Sequence, residues 1–196
     1  ELYVFNGFRP SYKIENSNIK YNPSTNTWTQ LAPIPLQPDS TVSAVTHNGI
    51  ALVGDTVWIV GGGVGNVPGP PTDRVWWYKI STNTWMPGPR LPTRAAGGGV
   101  GRLGRKLHYV GGLDTVARCD VNYHWVFDLD NPAAGWQDLT EEAGLPETRN
   151  HFGTAVLEGK LYIIGGQYGH DGCQQGVDVK FVHVFDPITN AWKRLN

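Results

Sequence analysis

The sequence predicts an all-β fold made of repeated antiparallel sheets, and three observations support this prediction. The chain of 196 residues contains 25 glycines, 14 prolines and 8 tryptophans against a single methionine. Glycine and proline break helices while tryptophan favours strands, so this composition is typical of short strands joined by many turns. Glycine doublets and tryptophans then recur along the chain at intervals of 50 to 57 residues. Between them, no segment shows the apolar spacing of an amphipathic helix.

Each repeat contains the same elements in the same order. An apolar strand ends in glycine, at Gly7, Gly62, Gly112 and Gly166. The next strand carries an aromatic residue, at Tyr21, Tyr78, Phe127 and Phe185. A third strand follows a polar turn and contains tryptophan, at Trp28, Trp85, Trp136 and Trp192. A further strand precedes the doublet in three of the repeats, as in "FGTAVL". Four short strands in about 50 residues, repeated in series, predict the blades of a β-propeller.

We expect the whole chain, residues 1–196, to form a single propeller segment. A partial blade covers residues 1–37, and three complete blades cover about 38–91, 92–145 and 146–196. The first stretch supplies three of the four strands, so the chain holds about 3.75 blades, whereas propellers usually close with about four to eight. An open arc exposes sheet edges. We therefore expect a part of a larger propeller, completed by further blades or by a partner chain.

These elements resemble the kelch repeat. The shared features are the doublets, which are Gly61-Gly62, Gly111-Gly112 and Gly165-Gly166, together with the aromatic residues and tryptophans above. The resemblance covers essentially the whole chain and implies a kelch-type propeller. Kelch propellers serve both as binding proteins and as enzymes, so the resemblance implies a fold and leaves the function open. The segment "RNHFGTAVLEGKLYIIGGQYGHDG" is also similar to secreted, galactose-oxidase-like kelch proteins, which implies an extracellular location.

A dinucleotide-binding turn is a competing interpretation of "AAGGGVGRLG", because Gly99, Gly101 and Gly104 have the spacing G-x-G-x-x-G. Such a turn needs a strand before the glycines and a helix after them. Alignment of the repeats places Gly99 beside Gly49 and Gly153, and places Gly104 in a hairpin turn followed by another strand. We therefore predict a tightly packed strand and a turn, where glycine fits, rather than a cofactor loop.

Charge and hydropathy exclude two classes of partner. The net charge is −1 and no run of lysine or arginine is present, so the electrostatic basis for binding nucleic acid is missing. No apolar stretch approaches the ~20 residues that a membrane-spanning helix needs. The segment begins with glutamate instead of methionine and shows no signal peptide, so we expect either a processed chain or part of a longer one.

Binding residues often lie on loops that a rigid scaffold holds in place. We therefore place the ligand site on two sets of loops, those that follow the doublets and those that lead into the first strand of each blade. These loops meet on one face beside the central channel. Two arginines there can clamp a carboxylate or sulfate. His47 and His151 occupy matching positions in two blades, where the third has Gly97. The predicted ligand-binding residues are His47, Arg94, Asp114, Arg149, Asn150, His151, His170 and Asp171.

Enzyme motifs such as G-x-S-x-G, H-E-x-x-H and C-x-x-C do not occur in the sequence. We therefore predict a non-enzymatic binding or structural module that recognises protein or glycan and has no cofactor. The alternative is a carbohydrate-active enzyme, either a copper oxidase similar to galactose oxidase or a sugar epimerase using arginine and acidic groups. No cysteine, tyrosine or histidine stands in a spacing that matches the oxidase site. Calcium at His170 and Asp171 is a further alternative.

The two cysteines, Cys119 and Cys173, form either one disulfide or two free thiols. Each lies seven residues after the last glycine of a doublet, Gly112 or Gly166, in adjacent blades. Matched positions on neighbouring blades can approach within the ~7 Å between Cα atoms that a bridge requires. Because a disulfide persists only in an oxidising compartment, the bridge and secretion are linked predictions.

Overall fold

The structure is a computed structural model, and it describes residues 1–10, 13–36, 44–65, 69–115, 119–169, 173 and 176–196. It consists of antiparallel sheets arranged in chain order, which we number blade 1 to blade 4. The predicted all-β kelch propeller architecture is confirmed. Within the described ranges the helical elements include α1 (Thr140–Ala143) and a 3₁₀ turn at Pro132–Ala134. In that same part of the chain, no helix is long and apolar enough to cross a membrane.

Blade 1 contributes three strands and the other blades four each. Blade 1 contains β1 (Leu2–Arg9), β2 (Lys13–Asn22) and β3 (Thr27–Leu31). A short ribbon of β4 (Val45–Thr46) and β7 (Gly63–Val64) accompanies blade 2, which contains β5 (Gly49–Val53), β6 (Thr56–Val60), β8 (Val75–Lys79) and β9 (Thr84–Pro87). Blade 3 contains β10 (Gly99–Leu103), β11 (Lys106–Val110), β12 (His124–Asp128) and β13 (Trp136–Asp138). Blade 4 contains β14 (Gly153–Leu157), β15 (Lys160–Ile164), β18 (Val182–Asp186) and β19 (Ala191–Leu195), beside a ribbon of β16 (Gln167–Tyr168) and β17 (Val177–Asp178).

The hydrophobic core lies between blades, because each sheet buries apolar side chains against the next. Leu31 and Ile34 of blade 1 pack with Ile59 and Tyr78 of blade 2. Two similar clusters fill the interfaces between blades 2 and 3 and between blades 3 and 4. Burial of aromatic and aliphatic side chains at these interfaces is the main stabilising term.

The repeated tryptophan forms a hydrogen bond from each of blades 2, 3 and 4 to the preceding blade. The indole N–H of Trp85 donates to the carbonyl of Ala32 at 2.8 Å. In the following blades, Trp136 donates to Pro89 at 3.0 Å and Trp192 donates to Ala143 at 2.8 Å. The regular tryptophan spacing in the sequence therefore reflects one recurring interblade hydrogen bond.

The glycines of the G-x-G-x-x-G stretch serve packing between blades. A Cβ added at Gly99 would collide with Thr154, and one added at Gly101 would collide with Leu161 of blade 4. Gly104 has φ of +58° in the hairpin turn between β10 and β11. A strand follows this turn, so the context of a dinucleotide site is not met.

Candidate functional site

Loops at one end of the blades form a continuous face, which we call the channel face. The doublet of one blade is tied to the segment that leads into the next, since Gly62 N–H donates to the carbonyl of Ala95 at 2.8 Å. The following junction repeats the contact, from Gly112 to Arg149 at 3.0 Å. The first strands of blades 2, 3 and 4 contact one another in sequence. The channel face therefore places the predicted loops next to each other.

Three equivalent positions, His47, Gly97 and His151, connect blades 2, 3 and 4 on this face. All three have left-handed backbone, with φ of 55°, 69° and 53°. Gly97 N–H donates to the carbonyl of His47 at 2.8 Å, and His151 N–H donates to the carbonyl of Gly97 at 2.9 Å. This series of hydrogen bonds fixes the direction in which each side chain leaves the backbone.

The side chains of His47 and His151 meet beside Gly97, which has no side chain. The rings of His47 and His151 have centroids 4.7 Å apart and are nearly perpendicular, at 80°. Nδ1 of His47 lies 2.9 Å from the hydroxyl of Thr46. The ring of Phe8 lies 5.6 Å from that of His47. The matched sequence positions thus correspond to one polar and aromatic patch, which we call the histidine pair.

Asn150 is buried and organises the loops behind the histidine pair. Its amide nitrogen donates to a carboxylate oxygen of Asp120, and its carbonyl oxygen accepts from Gln167 at 3.1 Å. The second oxygen of Asp120 accepts from Gly169 N–H at 2.5 Å. The carbonyl oxygen of Asn150 is also hydrogen-bonded to Nδ1 of His151. Asn150, which we predicted to contact ligand, holds the adjacent loops and orients His151.

A disulfide joins Cys119 to Cys173, with the Cα atoms 5.2 Å apart. It links the loops that follow the doublets of blades 3 and 4. Asp114 shapes the first of these loops, because its carboxylate accepts from Cys119 N–H at 3.1 Å and its own N–H donates to the Cys119 carbonyl at 3.0 Å. Asp114, also predicted as a ligand residue, holds this loop through its two hydrogen bonds with Cys119.

Arg149 lies on a loop as expected, but its side chain is directed inward and has 0% exposure. Its Nη1 donates to Nδ1 of His183 at 2.9 Å, and its Nη2 donates to the carbonyl of Ile163 at 3.2 Å. The guanidinium carbon lies 5.0 Å from the ring centroid of Phe181. We predicted that Arg149 binds ligand; in the structure its enclosed guanidinium braces blade 4 through these contacts.

Arg94 is exposed on the channel face and lines a pocket of about 170 Å³ with Arg74 and Arg90. Nη1 of Arg90 donates to both carboxylate oxygens of Asp73, at 2.9 and 3.0 Å. We call this cavity the arginine pocket. The sequence interpretation did not single out Arg74 or Arg90. The sequence does contain a signal for them, because Arg74 follows "PTD" and Arg90 ends "MPGPR".

His170 and Asp171, predicted to bind ligand or calcium, lie outside the described residues. Among the residues whose placement is described, no group of three or more His, Cys, Asp or Glu could hold a metal ion. Both cysteine sulfurs are joined to each other, so neither is available in this state for the Cys–Tyr cross-link of a galactose-oxidase-like site.

The blades and the loops gathered at one end define a β-propeller. Residues 1–35, 44–92 and 148–196 match the Kelch motif. The chain therefore belongs to the kelch-repeat family.

Relatives share this fold at low identity. The chain is 27% identical to Kelch-like protein 35 of Mus musculus over 94% of this chain and 27% of that protein. It is 29% identical to Beta-scruin of Limulus polyphemus, over 87% of this chain and 18% of that protein. The solved structure of YjhT superposes with a TM-score of 0.70 at 18% identity, covering 98% of this chain and 54% of that one. The chain thus spans well under half the length of these two curated relatives.

Proposed function

We propose that the chain is a non-enzymatic kelch module that binds a protein partner through its channel face. The observation that carries the proposal is the fixed geometry of that face. The histidine pair is held by backbone hydrogen bonds across three blades, and the loops behind it are tied by a disulfide. A rigid surface loses little conformational entropy on association, which favours binding.

Kelch-family membership supports a protein-binding or structural role. The face offers aromatic surface at Phe8, imidazoles at His47 and His151, and guanidinium groups in the arginine pocket. Aromatic and arginine side chains are enriched at the energetic centres of protein interfaces. A glycan is the second ligand class that the sequence suggested, and no contact observed here favours it over protein.

The enzyme alternatives have weaker geometric support. A galactose-oxidase-like copper site needs a cysteine free to join tyrosine, whereas Cys119 and Cys173 pair with each other. A sugar epimerase needs arginine and acid groups open to the channel. Of the arginine and acidic groups on these loops, Arg149 is enclosed and the carboxylate of Asp114 accepts a hydrogen bond from its own loop, whereas Arg94 is exposed.

We propose an extracellular location, or another oxidising compartment, for the same chain. The support is the Cys119–Cys173 disulfide, since cytosolic reductants normally keep thiols reduced. The secreted, galactose-oxidase-like resemblance of the last blade agrees with this location. Fractionation of cells expressing the native protein, with thiol labelling of each fraction, tests it. Recovery of the protein only in the cytosol with both thiols labelled would contradict it.

Cross-linking capture with matched variants tests the binding role. The intact protein, His47→Ala/His151→Ala and Arg105→Gln are each biotinylated and exposed to the secreted proteins of the source tissue. Arg105 is a control at the hairpin turn between β10 and β11, at the opposite end of the first strand from the doublet. We expect a partner captured by the wild type and Arg105→Gln and lost from the histidine variant. Equal capture by all three, or binding to glycans alone on an array, would overturn the proposal.

A further inference from the structure

We propose that the Cys119–Cys173 disulfide controls the histidine pair, because it keeps His151 in one orientation through Asp120 and Asn150. Opening of the bridge by a dithiol then weakens binding at this pair. The inference rests on the proposed binding function and names a means of regulating that same site. The bridge, the carboxylate and the amide form one connected path from the loops of blades 3 and 4 to the imidazole.

Two links between these loops lie next to each other. Asp120 directly follows Cys119 in sequence, and Gly169 lies four residues before Cys173. One carboxylate oxygen of Asp120 accepts from Gly169 N–H at 2.5 Å, so a polar link accompanies the covalent one. While the disulfide is closed, the carboxylate meets Gly169 without the entropic cost of bringing two separate loops together. After reduction, the hydrogen bonds of Asp120 must offset that cost alone.

The same carboxylate fixes the ring of His151. The other oxygen of Asp120 accepts from the amide nitrogen of Asn150, which directs the carbonyl oxygen of Asn150 toward Nδ1 of His151. An amide oxygen only accepts hydrogen bonds, so Nδ1 carries the proton and the lone pair of the neutral ring is on Nε2. Gln167 donates to the same amide oxygen at 3.1 Å. Loss of the Asp120 contact therefore loosens the orientation of His151 without abolishing it.

The repeat itself does not require a carboxylate at this position. Val121 N–H donates to the carbonyl of Gly112 at 3.0 Å, and Thr72 makes the equivalent bond in blade 2. Pro71, which precedes Thr72, is therefore equivalent to Asp120. The loop after the doublet of blade 2 also contains no cysteine. Because blade 2 is built without either group, the disulfide and the adjoining carboxylate indicate a local function.

A dithiol reductant can open the bridge from solvent. Cys173 is exposed and Cys119 is half-buried, and exposed disulfides are the more easily reduced and the more often regulatory. A thiolate of the dithiol attacks Sγ of Cys173, forms a mixed disulfide and releases Cys119 as a thiolate, which takes up a proton. The second thiol of the reductant then displaces Cys173 as a thiol and closes the disulfide of the oxidised reductant. Two electrons and two protons pass to the protein.

Nitrogen-15 NMR of the imidazoles in the full chain tests the inference without a ligand. Spectra are recorded before and after treatment with dithiothreitol, at about pH 8, where ordinary histidines are neutral. His151 is assigned from the signal missing in His151→Ala, and thiol labelling measures the extent of reduction. We expect the proton of His151 on Nδ1 in the oxidised protein and shared between both ring nitrogens after reduction. His47, whose Nδ1 lies beside Thr46, is the internal control and should not change.

Asp120→Ala breaks the path while the disulfide stays closed. We expect this variant to reproduce the change at His151 in the oxidised state, so it decides the question even if reduction unfolds the chain. Asp130→Ala is the matched control, since it removes an exposed carboxylate paired with Arg105 at the opposite end of blade 3. If His151 is correctly oriented about one third of the time, partner capture by reduced wild type and by Asp120→Ala falls about threefold.

Several outcomes would overturn the inference. An unchanged His151 signal after complete reduction would show that the bridge does not control the ring. Equal spectra of Asp120→Ala and Asp130→Ala would exclude the path through Asp120. Partner capture that is lost in His47→Ala/His151→Ala but unaffected by reduction would reject the regulation while the proposed function stands. Capture that does not depend on the histidine pair would reject the proposed function separately.

Discussion

The imidazoles of His108 and His124 lie 2.8 Å apart, Nδ1 to Nε2, inside the interface between blades 3 and 4. Nδ1 of His124 lies 2.6 Å from the carbonyl oxygen of Ala143. Both rings pack against Phe185, at centroid distances of 5.6 and 4.8 Å. Two neutral imidazoles make both contacts: Nδ1–H of His124 donates to the Ala143 carbonyl, and Nε2 of His124 accepts from Nδ1–H of His108. A proton added to either ring places a charge in an apolar interface.

Acidification is therefore expected to destabilise the fold. Burial lowers the pKa of His108 to about 3, and the nearby His124 and Lys106 lower it further. Burial also lowers the pKa of His124, although the hydrogen bond to Ala143 and the charge of Asp138 act in the opposite direction. A histidine in the unfolded chain has a pKa of about 6.5. The unfolded state thus binds more protons below that pH, and the stabilising contribution, complete above about 6.5, is lost as pH falls toward 3. Each histidine can remove at most about 1.4 kcal/mol per pH unit. Urea unfolding at a series of pH values measures this slope.

The matched control is His108→Trp/His124→Val, which copies the equivalent Trp58 and Val75 of blade 2. We expect this variant to lose the part of the slope between about pH 6.5 and 5 that comes from His108 and His124, a range above the ordinary titration of carboxylates. Buried His183, whose pKa is lowered by burial and by Arg149, continues to contribute to the slope. A hydrogen bond from Tyr168 lowers the pKa of Glu147, so its contribution is lost only at lower pH. A wild type whose free energy of unfolding stays constant down to about pH 5 would contradict the prediction.

Arg149→Ala should lower the free energy of unfolding by roughly 2–4 kcal/mol, since it leaves a cavity and unpaired acceptors on His183 and Ile163. Arg94→Ala, at an exposed position, should change it by less than about 0.5 kcal/mol. Thermal or urea unfolding of the two variants measures the contrast. An Arg149→Ala protein as stable as the Arg94→Ala protein would show that the buried contacts contribute nothing.

A double substitution separates loss of the contact from loss of the fold. Blade 3 has Ala95 and Trp125 at the positions of Arg149 and His183, and both are buried in its interface. Arg149→Ala/His183→Trp installs that apolar pair in blade 4. We expect it to recover most of the stability lost by Arg149→Ala, because a packed apolar pair can replace a buried polar one. A double variant less stable than the single one would indicate that blade 4 cannot accommodate the larger ring.

The sequence was sufficient for the fold because the signals that define a blade are local and repeated. Trp85, Trp136 and Trp192 make the same bond to the preceding blade, so their spacing directly reports blade length. The histidine pair could also be anticipated, since His47 and His151 are matched positions within aligned repeats.

The role of Arg149 could not be predicted from its resemblance to Arg94. Both follow threonine, but the segment leading into blade 3 has one more residue between the arginine and the first strand. Arg149 therefore aligns with the buried Ala95, and a shift of one residue turns a side chain from solvent to core. The arginine pocket was missed for another reason: Arg74 and Arg90 meet only through contacts between loops distant in sequence.

Reduction of the disulfide should destabilise the protein. Cys119 and Cys173 are 54 residues apart in sequence, for which chain entropy gives roughly 4 kcal/mol. We expect no reactive thiol after unfolding without reductant, and a lower melting temperature after reduction. The Cys119→Ser/Cys173→Ser protein should melt like the reduced wild type and be insensitive to reductant. Two thiols labelled in the oxidised, unfolded protein would show that the bridge is absent and would remove its support for secretion.

Gly101 provides a test of how closely blades 3 and 4 approach. Its added Cβ would collide with Cδ1 of Leu161 and lie 3.1 Å from Cγ2 of Val156. Gly101→Ala should therefore cost about 1–3 kcal/mol, the usual range for overpacking a close contact. The control is Gly104→Asn, where the Cβ meets nothing within 4 Å and asparagine tolerates the left-handed φ of +58°. We expect Gly104→Asn to stay within about 1 kcal/mol of wild type in urea unfolding.

The same variants distinguish packing from cofactor binding in the G-x-G-x-x-G stretch. If these glycines approached a pyrophosphate, NAD would raise the melting temperature of the wild type and Gly101→Ala would abolish that shift. The collision with Leu161 predicts instead that NAD leaves the melting temperature unchanged in every variant, while Gly101→Ala alone melts well below wild type. Repacking with Leu161→Ala should then offset part of the Gly101→Ala defect, since the smaller side chain vacates the volume that the new methyl group needs. Additive losses in the double variant would show that the two residues do not compete for the same space.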